Sequence, residues 1–273
     1  MSPTYHFIAG LPRSGSTLFS AILKQNPSFH ADISSPVLGL AEGIIAQTSA
    51  GAEMAPLVTE HKKTALIKGL FDNYYNDVNK PVVFDTNRGW TAKLSLVNTL
   101  FPKSKVICLA RNVAWVLDSM ERQLRKSPLE NTKLFGNTQQ RATVYTRVEA
   151  MASQNGLVGF AWHALRDGCY SEFANNMLII DYDLLVRKPA AVMNGVYQFL
   201  ELPLFEHDFD NVVFDSPEFD QNLGIDGLHR VHKTVKPMTR DTILPPELFE
   251  KYNNMTFWRD LKSSKAFTLA PSK

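Results

Sequence analysis

Four short, nearly uninterrupted runs of apolar residues stand out along the chain. Runs of this length without polar alternation are typical of strands that are buried on both faces of a parallel sheet. The four predicted strands are Tyr5–Ala9, Pro81–Asp85, Lys105–Ala110 and Met177–Asp181.

The segments between these strands show helical spacing. After the first strand, Leu18 and Ile22 share one face of a predicted helix that Asn26-Pro27 ends. Predicted helices cover Ser14–Gln25, Thr91–Leu100, Val113–Leu124, residues 140–173, residues 189–201 and Pro246–Tyr252. Residues 36–80 are predicted to be mostly helical, and the rest of the C-terminal third is predicted to be irregular.

Alternation of buried strands and helices predicts an α/β fold. We expect a single domain over residues 1–273, built as three layers with a central parallel sheet flanked by helices. Ligands of such sheets bind beyond the carboxyl ends of the strands. The segments that follow the strands are therefore the places to look for a site: Gly10–Thr17, Asp85–Thr91, Arg111–Ser119 and Asp181–Asp183.

Composition limits the class of protein. A net charge of +2 over 273 residues offers no global attraction for nucleic acid, so an anion site must be local. Only two cysteines, Cys108 and Cys169, are present, which fits a reducing compartment. No apolar stretch is long enough to span a bilayer, and Tyr5–Leu11 lacks the basic flank of a signal peptide. We therefore expect a cytoplasmic protein without a membrane span.

The first predicted strand runs into a turn bounded by glycines, and a helix follows. This turn, the phosphate loop below, reads Gly10-Leu11-Pro12-Arg13-Ser14-Gly15-Ser16-Thr17. Consecutive backbone N–H groups and the positive end of the helix dipole would face a phosphate there. The spacing matches the nucleotide phosphate loop, except that Ser16 replaces its Lys and Arg13 supplies the cation. Taken alone, a simple strand-to-helix turn is the alternative.

The string from Pro12 to Leu18 resembles the 5′-phosphosulfate loop of sulfotransferases, whose donor is 3′-phosphoadenosine-5′-phosphosulfate (PAPS). Every position of the pattern Pro-Lys/Arg-Ser-Gly-Thr/Ser-Thr is met. The resemblance implies P-loop-type architecture and a set of residues that hold the 5′-phosphate. These residues are Pro12, Arg13, Ser14, Gly15, Ser16 and Thr17.

A second motif supports the same family. The third predicted strand ends in Arg111, and Ser119 follows eight residues later on the next helix. This spacing resembles the Arg and Ser that grip the 3′-phosphate in sulfotransferases. A doubly charged phosphate needs a bidentate cation and neutral donors, which such a pair offers.

Two further resemblances are less specific. Tyr182-Asp183 after the fourth strand is similar to the family's Tyr-Glu-x-Leu, whose tyrosine reaches the nucleotide. Basic residues that include Arg230, Lys233 and the stretch from Lys236 to Arg240 lie where family members close a loop over the nucleotide. The family's Arg-Lys-Gly string is absent, so solvated loop charges are the alternative for this segment.

The resemblance extends from residue 5 to about residue 250 and leans to bacterial members and the tyrosylprotein branch. It implies sulfuryl transfer from PAPS to a hydroxyl acceptor without a metal, with adenosine-3′,5′-bisphosphate as the product. A peptide tyrosine is the first acceptor to test, and lipids, sugars and other small molecules stay open, as does the oligomeric state.

The general base is not identified by a motif. The tyrosylprotein branch has a Glu on the loop after the first helix, where this chain offers His30 and Asp32. After the second strand, Asp85 is a candidate base, and Arg88 a candidate replacement for the family's Lys beside the sulfuryl oxygens. Turn formation is the alternative for Asp85, and an ordinary loop histidine for His30. Arg13 would also stabilise the leaving phosphate during catalysis.

Two other functions use the same features. A nucleoside triphosphatase or small-molecule kinase would keep the phosphate loop and bind a metal at Asp85. The missing Lys after Gly15 and the Arg111/Ser119 pair count against it. A nucleotide-binding module without activity stays open, because a fold does not fix a function.

Overall fold

A six-stranded sheet forms the centre of the molecule. The structure, a computed structural model, describes residues 3–53, 55–126, 134–214, 229 and 231–271. The strands all run parallel in the order β2-β3-β1-β4-β5-β6. They are β1 (Thr4–Gly10), β2 (Phe29–Ala31), β3 (Val82–Thr86), β4 (Val106–Ala110), β5 (Met177–Asp181) and β6 (Phe267–Leu269).

The four predicted strands are confirmed, and they form the centre of the sheet. The two edge strands, β2 and β6, were not predicted. Each has only three residues, and β6 is largely exposed, so neither carries an apolar run. Each edge strand forms by pairing with its neighbour, β2 with β3 and β6 with β5. The sequence pattern does not show which strands become neighbours.

Helices cover both faces of the sheet. They are α1 (Ser16–Leu23), α2 (Val37–Thr48), α3 (Glu60–Tyr74), α4 (Leu94–Leu100), α5 (Val113–Lys126), α6 (Thr138–Ala142), α7 (Val144–Ala152), α8 (Leu157–Cys169), α9 (Tyr182–Arg187), α10 (Pro189–Leu200) and α11 (Pro246–Asn253). A 3-10 helix over Arg88–Lys93 leads into α4. The described helices include none that is long and apolar enough to cross a membrane.

The continuous helix predicted for residues 140–173 is wrong, because the structure divides it into α6, α7 and α8. Thr143 caps α7 through its side chain, and its extended backbone ends α6. Gly156 stands before α8, where a Cβ would lie only 2.1 Å from the carbonyl oxygen of Ala150. A backbone contact this close admits only glycine.

Side chains of the central strands alternate between two cores. Phe7 and Ala9 of β1 enter the core beneath α3, α5 and α8, whereas Ile8 enters the core beneath α1 and α10. Each face of the sheet therefore has its own apolar layer under helices. This arrangement confirms the predicted three-layer α/β fold.

A buried carboxylate joins the end of β5 to the C-terminal part of the chain. Asp181, with no solvent exposure, accepts hydrogen bonds from Trp258 Nε1 at 2.8 Å and Arg259 Nε at 2.7 Å. It also caps α9 by accepting the N–H of Asp183 at 2.9 Å. Three chain segments thus depend on one side chain.

We expect Asp181→Ala to lower the free energy of unfolding by about 3 kcal/mol, because it leaves the buried Trp258 N–H without its acceptor and the Arg259 guanidinium with Asp183 alone. Urea denaturation measures this loss. The control is Glu60→Ala, which removes only the exposed Glu60–Lys63 pair and should change stability by less than about 0.5 kcal/mol. Equal effects of the two variants would contradict this role of Asp181.

Candidate active site

The phosphate loop is tightly fixed to the neighbouring strand β4. Gly10 has a φ of 110°, and a Cβ there would lie 2.1 Å from the carbonyl oxygen of Leu109. The N–H of Leu11 donates to the same oxygen at 2.9 Å. The buried Ser14 hydroxyl lies 2.5 Å from the oxygen of Leu11 and 2.9 Å from that of Leu109. The Ser14 side chain therefore anchors the loop. Of Ser14, only the backbone N–H is left to bind a ligand.

Donors without protein acceptors gather at the start of α1. Gly15 precedes the helix with a φ of 94°, and Arg13 also adopts a left-handed backbone, with a φ of 56°. Within the described residues, the amides of residues 14–17 find no backbone acceptor. The half-buried hydroxyls of Ser16 and Thr17 have no protein partner in that part of the chain either. Such a set of donors at a helix N-terminus is suited to a phosphate.

The two phosphate motifs meet in space. Arg13 Nε donates to Ser119 Oγ at 3.2 Å, and Arg111 Nη1 approaches the carbonyl oxygen of Arg13 at 3.4 Å. The guanidinium carbon of Arg111 lies 4.3 Å from the centroid of the Tyr182 ring. That ring packs under the phosphate loop, since a Cβ on Gly15 would lie 2.8 Å from it. Three residues predicted from two other motifs, Arg111, Ser119 and Tyr182, therefore form one cluster with the loop.

The guanidinium of Arg111 is oriented by its neighbours and is suited to bind an anion. Its Nε is buried and makes no hydrogen bond with the described residues, and no carboxylate in that part of the chain forms an ion pair with it. Stacking on Tyr182 fixes the plane of the guanidinium. A half-buried cation that no carboxylate among the described residues neutralises is suited to bind a phosphate.

Arg240 is a third guanidinium at the same place. It lies over the Trp115 ring at 5.6 Å and forms an ion pair with Asp118 at 2.6 Å. Burial lowers the pKa of Arg240, Asp118 raises it, and the nearby charge of Arg111 lowers it. Sequence reasoning included Arg240 in a basic stretch but did not single it out, because the fold alone brings it to Arg111.

The end of β3 carries a fully buried carboxylate. Asp85 has no solvent exposure and accepts three hydrogen bonds, from Ser35 Oγ at 2.6 Å, Tyr75 Oη at 2.7 Å and Trp90 Nε1 at 2.6 Å. Burial raises the pKa of this carboxyl, and the three donors lower it. These contacts do not favour the role of Asp85 as general base, which stays a prediction. The carboxyl ties the segment that carries Arg88 to the core.

Arg88 lies beyond the end of β3, at the start of the 3-10 helix. Its side chain is accessible to solvent, and the surrounding protein lowers the pKa of the guanidinium by desolvation. No acidic side chain among the described residues forms an ion pair with Arg88. Arg88 therefore offers a further cation, beyond the second strand end, for a negatively charged group.

Two other predicted residues are not brought to the loop. His30 lies on edge strand β2 in register with Val83, with its ring 5.6 Å from that of Tyr75, and burial lowers its pKa. Lys233 is exposed and lies near Asp208, whose pKa is lowered by a hydrogen bond from Asn211 and, to a smaller extent, by the charge of Lys233. The backbone oxygen of Asp208 accepts a hydrogen bond from Gln25, beyond the far end of α1. Arg230 lies outside the described residues.

The parallel sheet and the loop after β1 define an α/β protein of the P-loop type. The family model of the sulfotransferase family matches residues 6–207, and the chain belongs to this family. Sulfuryl transfer is therefore the general reaction that family and fold support. Membership in the tyrosylprotein branch is not established by this match. No curated protein sequence matches the chain.

Two solved structures share the fold. One is the sulfotransferase domain of the olefin synthase from Synechococcus PCC 7002, with a TM-score of 0.55 and 18% identity over 96% of this chain and 97% of that one. The other is a sulfotransferase domain from the curacin biosynthetic pathway, with a TM-score of 0.55 and 19% identity over 96% of this chain and 95% of that one. At these identities the likeness concerns the fold.

We expect Gly15→Ala to weaken the binding of adenosine-3′,5′-bisphosphate by at least about tenfold, because the new Cβ would push the Tyr182 ring away and distort the loop. Isothermal titration calorimetry measures the change. Gly51→Ala is the matched control, since Gly51 has a φ of 95° but nothing within 4 Å of the added Cβ. Both variants should lose about 1–2 kcal/mol of stability to backbone strain, and only Gly15→Ala should lose affinity. Unchanged affinity in Gly15→Ala would contradict the loop's role.

Proposed function

We propose that the protein transfers a sulfuryl group from PAPS to a hydroxyl acceptor. The observation that carries the proposal is the contact between two anion sites, the amide cradle with Arg13 and the pair Arg111/Ser119. A donor with phosphate groups on both its 5′ and 3′ positions needs two such sites close together. An ordinary nucleotide needs only the first.

The donor groups at the loop suit the 5′ end of PAPS. Amides of residues 14–17 and the hydroxyls of Ser16 and Thr17 would donate hydrogen bonds to the 5′-phosphate, with Arg13 adding charge. Arg111 and Ser119 would take the 3′-phosphate, and Arg240 lies beside them. Stacking on the Tyr182 ring would keep the orientation of the Arg111 guanidinium fixed while Arg111 binds the phosphate.

Transfer would proceed by positioning and electrostatic stabilisation, as in phosphoryl transfer. PAPS, when bound, supplies the sulfuryl group and the 5′-phosphate leaving group. The loop amides and Arg13 would stabilise the charge that collects on the leaving phosphate. Arg88, beyond the end of β3, would stabilise the sulfuryl oxygens, and Asp85 would keep the segment of Arg88 in place through Trp90.

The acceptor is proposed to be a phenolic hydroxyl, with a tyrosyl peptide tested first. The lean of the sequence resemblance to the tyrosylprotein branch supports this choice. A screen of tyrosyl peptides, phenols, sugars and lipids with sulfur-35-labelled PAPS tests it directly. Labelled product from sugars or lipids alone would overturn the tyrosyl peptide as the proposed acceptor. It would leave PAPS as the proposed donor.

We expect the wild-type protein to bind adenosine-3′,5′-bisphosphate more tightly than AMP or ATP when EDTA is present. Arg111→Ala and Arg13→Ala should each weaken this binding by at least about 30-fold, since each leaves a phosphate with fewer charged partners. Calorimetry with all three ligands measures the preference.

Lys233→Ala is the control for these variants, because Lys233 lies beside Asp208 and away from the loop. Its affinity should equal that of the wild type. Binding that requires Mg²⁺, or a preference for ATP, would overturn the PAPS proposal. Tight binding without any turnover in the acceptor screen would favour a nucleotide-binding module instead.

We expect Arg88→Ala to lower kcat by about 100-fold or more and to leave the affinity for adenosine-3′,5′-bisphosphate unchanged, because the product lacks the sulfuryl group that Arg88 would contact. Initial rates at saturating PAPS, together with calorimetry, separate the two quantities. Lys93→Ala, which removes a cation at the end of the same 3-10 helix, is the control and should keep its kcat. If Arg88→Ala weakened the binding of adenosine-3′,5′-bisphosphate, Arg88 would contact the nucleotide. Its proposed role at the sulfuryl group would then be wrong.

A further inference from the structure

Asp118 is a buried carboxylate next to the predicted 3′-phosphate residue Ser119. Its side chain has no solvent exposure. Besides Arg122 on its own helix α5, three groups of the C-terminal segment 240–243 converge on it. They are Arg240 Nη2 at 2.6 Å, Thr242 Oγ1 at 3.1 Å and the N–H of Ile243 at 2.8 Å.

These contacts determine where Arg240 lies. With Thr242 and Ile243 held against α5, the guanidinium of Arg240 is placed over Trp115 and near Arg111. Because two guanidinium groups repel each other, Arg240 needs a nearby negative charge to stay beside Arg111. Asp118 supplies that charge from inside the fold.

The charge of Asp118 is itself balanced. Arg122 Nε donates to it at 3.0 Å, so the carboxylate faces two arginines. A carboxylate beside a phosphate site would repel the ligand if it were not neutralised. With both arginines in place, the surroundings of Ser119 stay cationic.

We propose that Asp118 is a positioning residue that holds Arg240 beside Arg111 and thereby determines the preference for nucleotides with a 3′-phosphate. This proposal rests on the proposed donor site. It predicts that removing the charge of Asp118 weakens binding of the 3′-phosphate and does not affect the 5′-phosphate, which the loop binds separately.

Glu121 provides a matched control on the same helix. Its side chain also has no exposure, and it binds Arg125 Nε at 2.9 Å and Arg147 Nη2 at 2.5 Å. These partners lie on α5 and α7. Among the described residues, Glu121 has no hydrogen bond or ion pair with segment 240–243. A purely structural buried carboxylate should therefore behave like Glu121.

The experiment compares Asp118→Asn with Glu121→Gln by calorimetry, using adenosine-3′,5′-bisphosphate and AMP as probes. For Asp118→Asn we expect the affinity for the bisphosphate to fall by about tenfold or more and the affinity for AMP to stay unchanged. For Glu121→Gln the ratio of the two affinities should equal that of the wild type, whatever the loss in thermal stability.

A double-mutant cycle tests whether Asp118 acts through Arg240. In an Arg240→Ala background, Asp118→Asn should have no further effect on the bisphosphate. An additional tenfold loss there would overturn the proposal. If Asp118→Asn does not fold, Thr242→Val, which removes one contact to the carboxylate, should shift the ratio in the same direction by a smaller factor. An unshifted ratio in that variant would also overturn it.

The outcomes separate the two proposals. A wild-type protein that binds the bisphosphate no better than AMP would overturn the proposed function itself. A wild-type preference that Asp118→Asn retains in full would overturn only the positioning role of Asp118.

Discussion

The close approach of the phosphate loop to strand β4 is the constraint on which the site depends. Gly10 and the carbonyl of Leu109 are too close for any side chain, and the Ser14 hydroxyl turns inward to the same carbonyl. With the Ser14 side chain used for anchoring, the loop has its backbone amides and the side chains of Arg13, Ser16 and Thr17 left for a ligand. Since β4 continues into Arg111, the anchor also sets the distance between the amide cradle and that arginine.

Buried carboxylates fix the segments around this loop. Asp85 holds the segment of Arg88, Asp118 holds that of Arg240, and Asp181 holds the end of β5 against Arg259. Each carboxylate has no exposure and several donors, the condition under which a buried charge is tolerated. These side chains position cations at the edge of the sheet. Charge in the site is therefore arranged from within the core.

Membership in the sulfotransferase family agrees with this arrangement. A sulfuryl group carries less charge than a phosphoryl group, and amides with guanidinium groups can stabilise its transfer by position alone. Three arginines, Arg13, Arg111 and Arg240, lie close together at the carboxyl edge. Such a concentration of positive charge beside free amides suits a donor with separate phosphates at its two ends.

The sequence by itself determined the central sheet and the main anion motifs. Apolar runs predicted β1, β3, β4 and β5 because these strands are buried on both faces. Glycine spacing predicted the phosphate loop, and the resemblance to sulfotransferase motifs added Arg111 and Ser119. These features depend on neighbours in the chain, which a pattern can reveal.

Tertiary structure alone decided the rest. The short edge strands need a partner strand to exist, and the helical stretch after residue 140 divides where close packing requires Gly156. The roles of Asp85 and Arg240 depend on contacts across the fold. Asp85 is closed in by Tyr75 and Trp90, whereas Arg240 reaches Asp118 from more than a hundred residues away. No local pattern encodes whether a carboxylate faces a substrate or the core, because burial is a property of the whole fold.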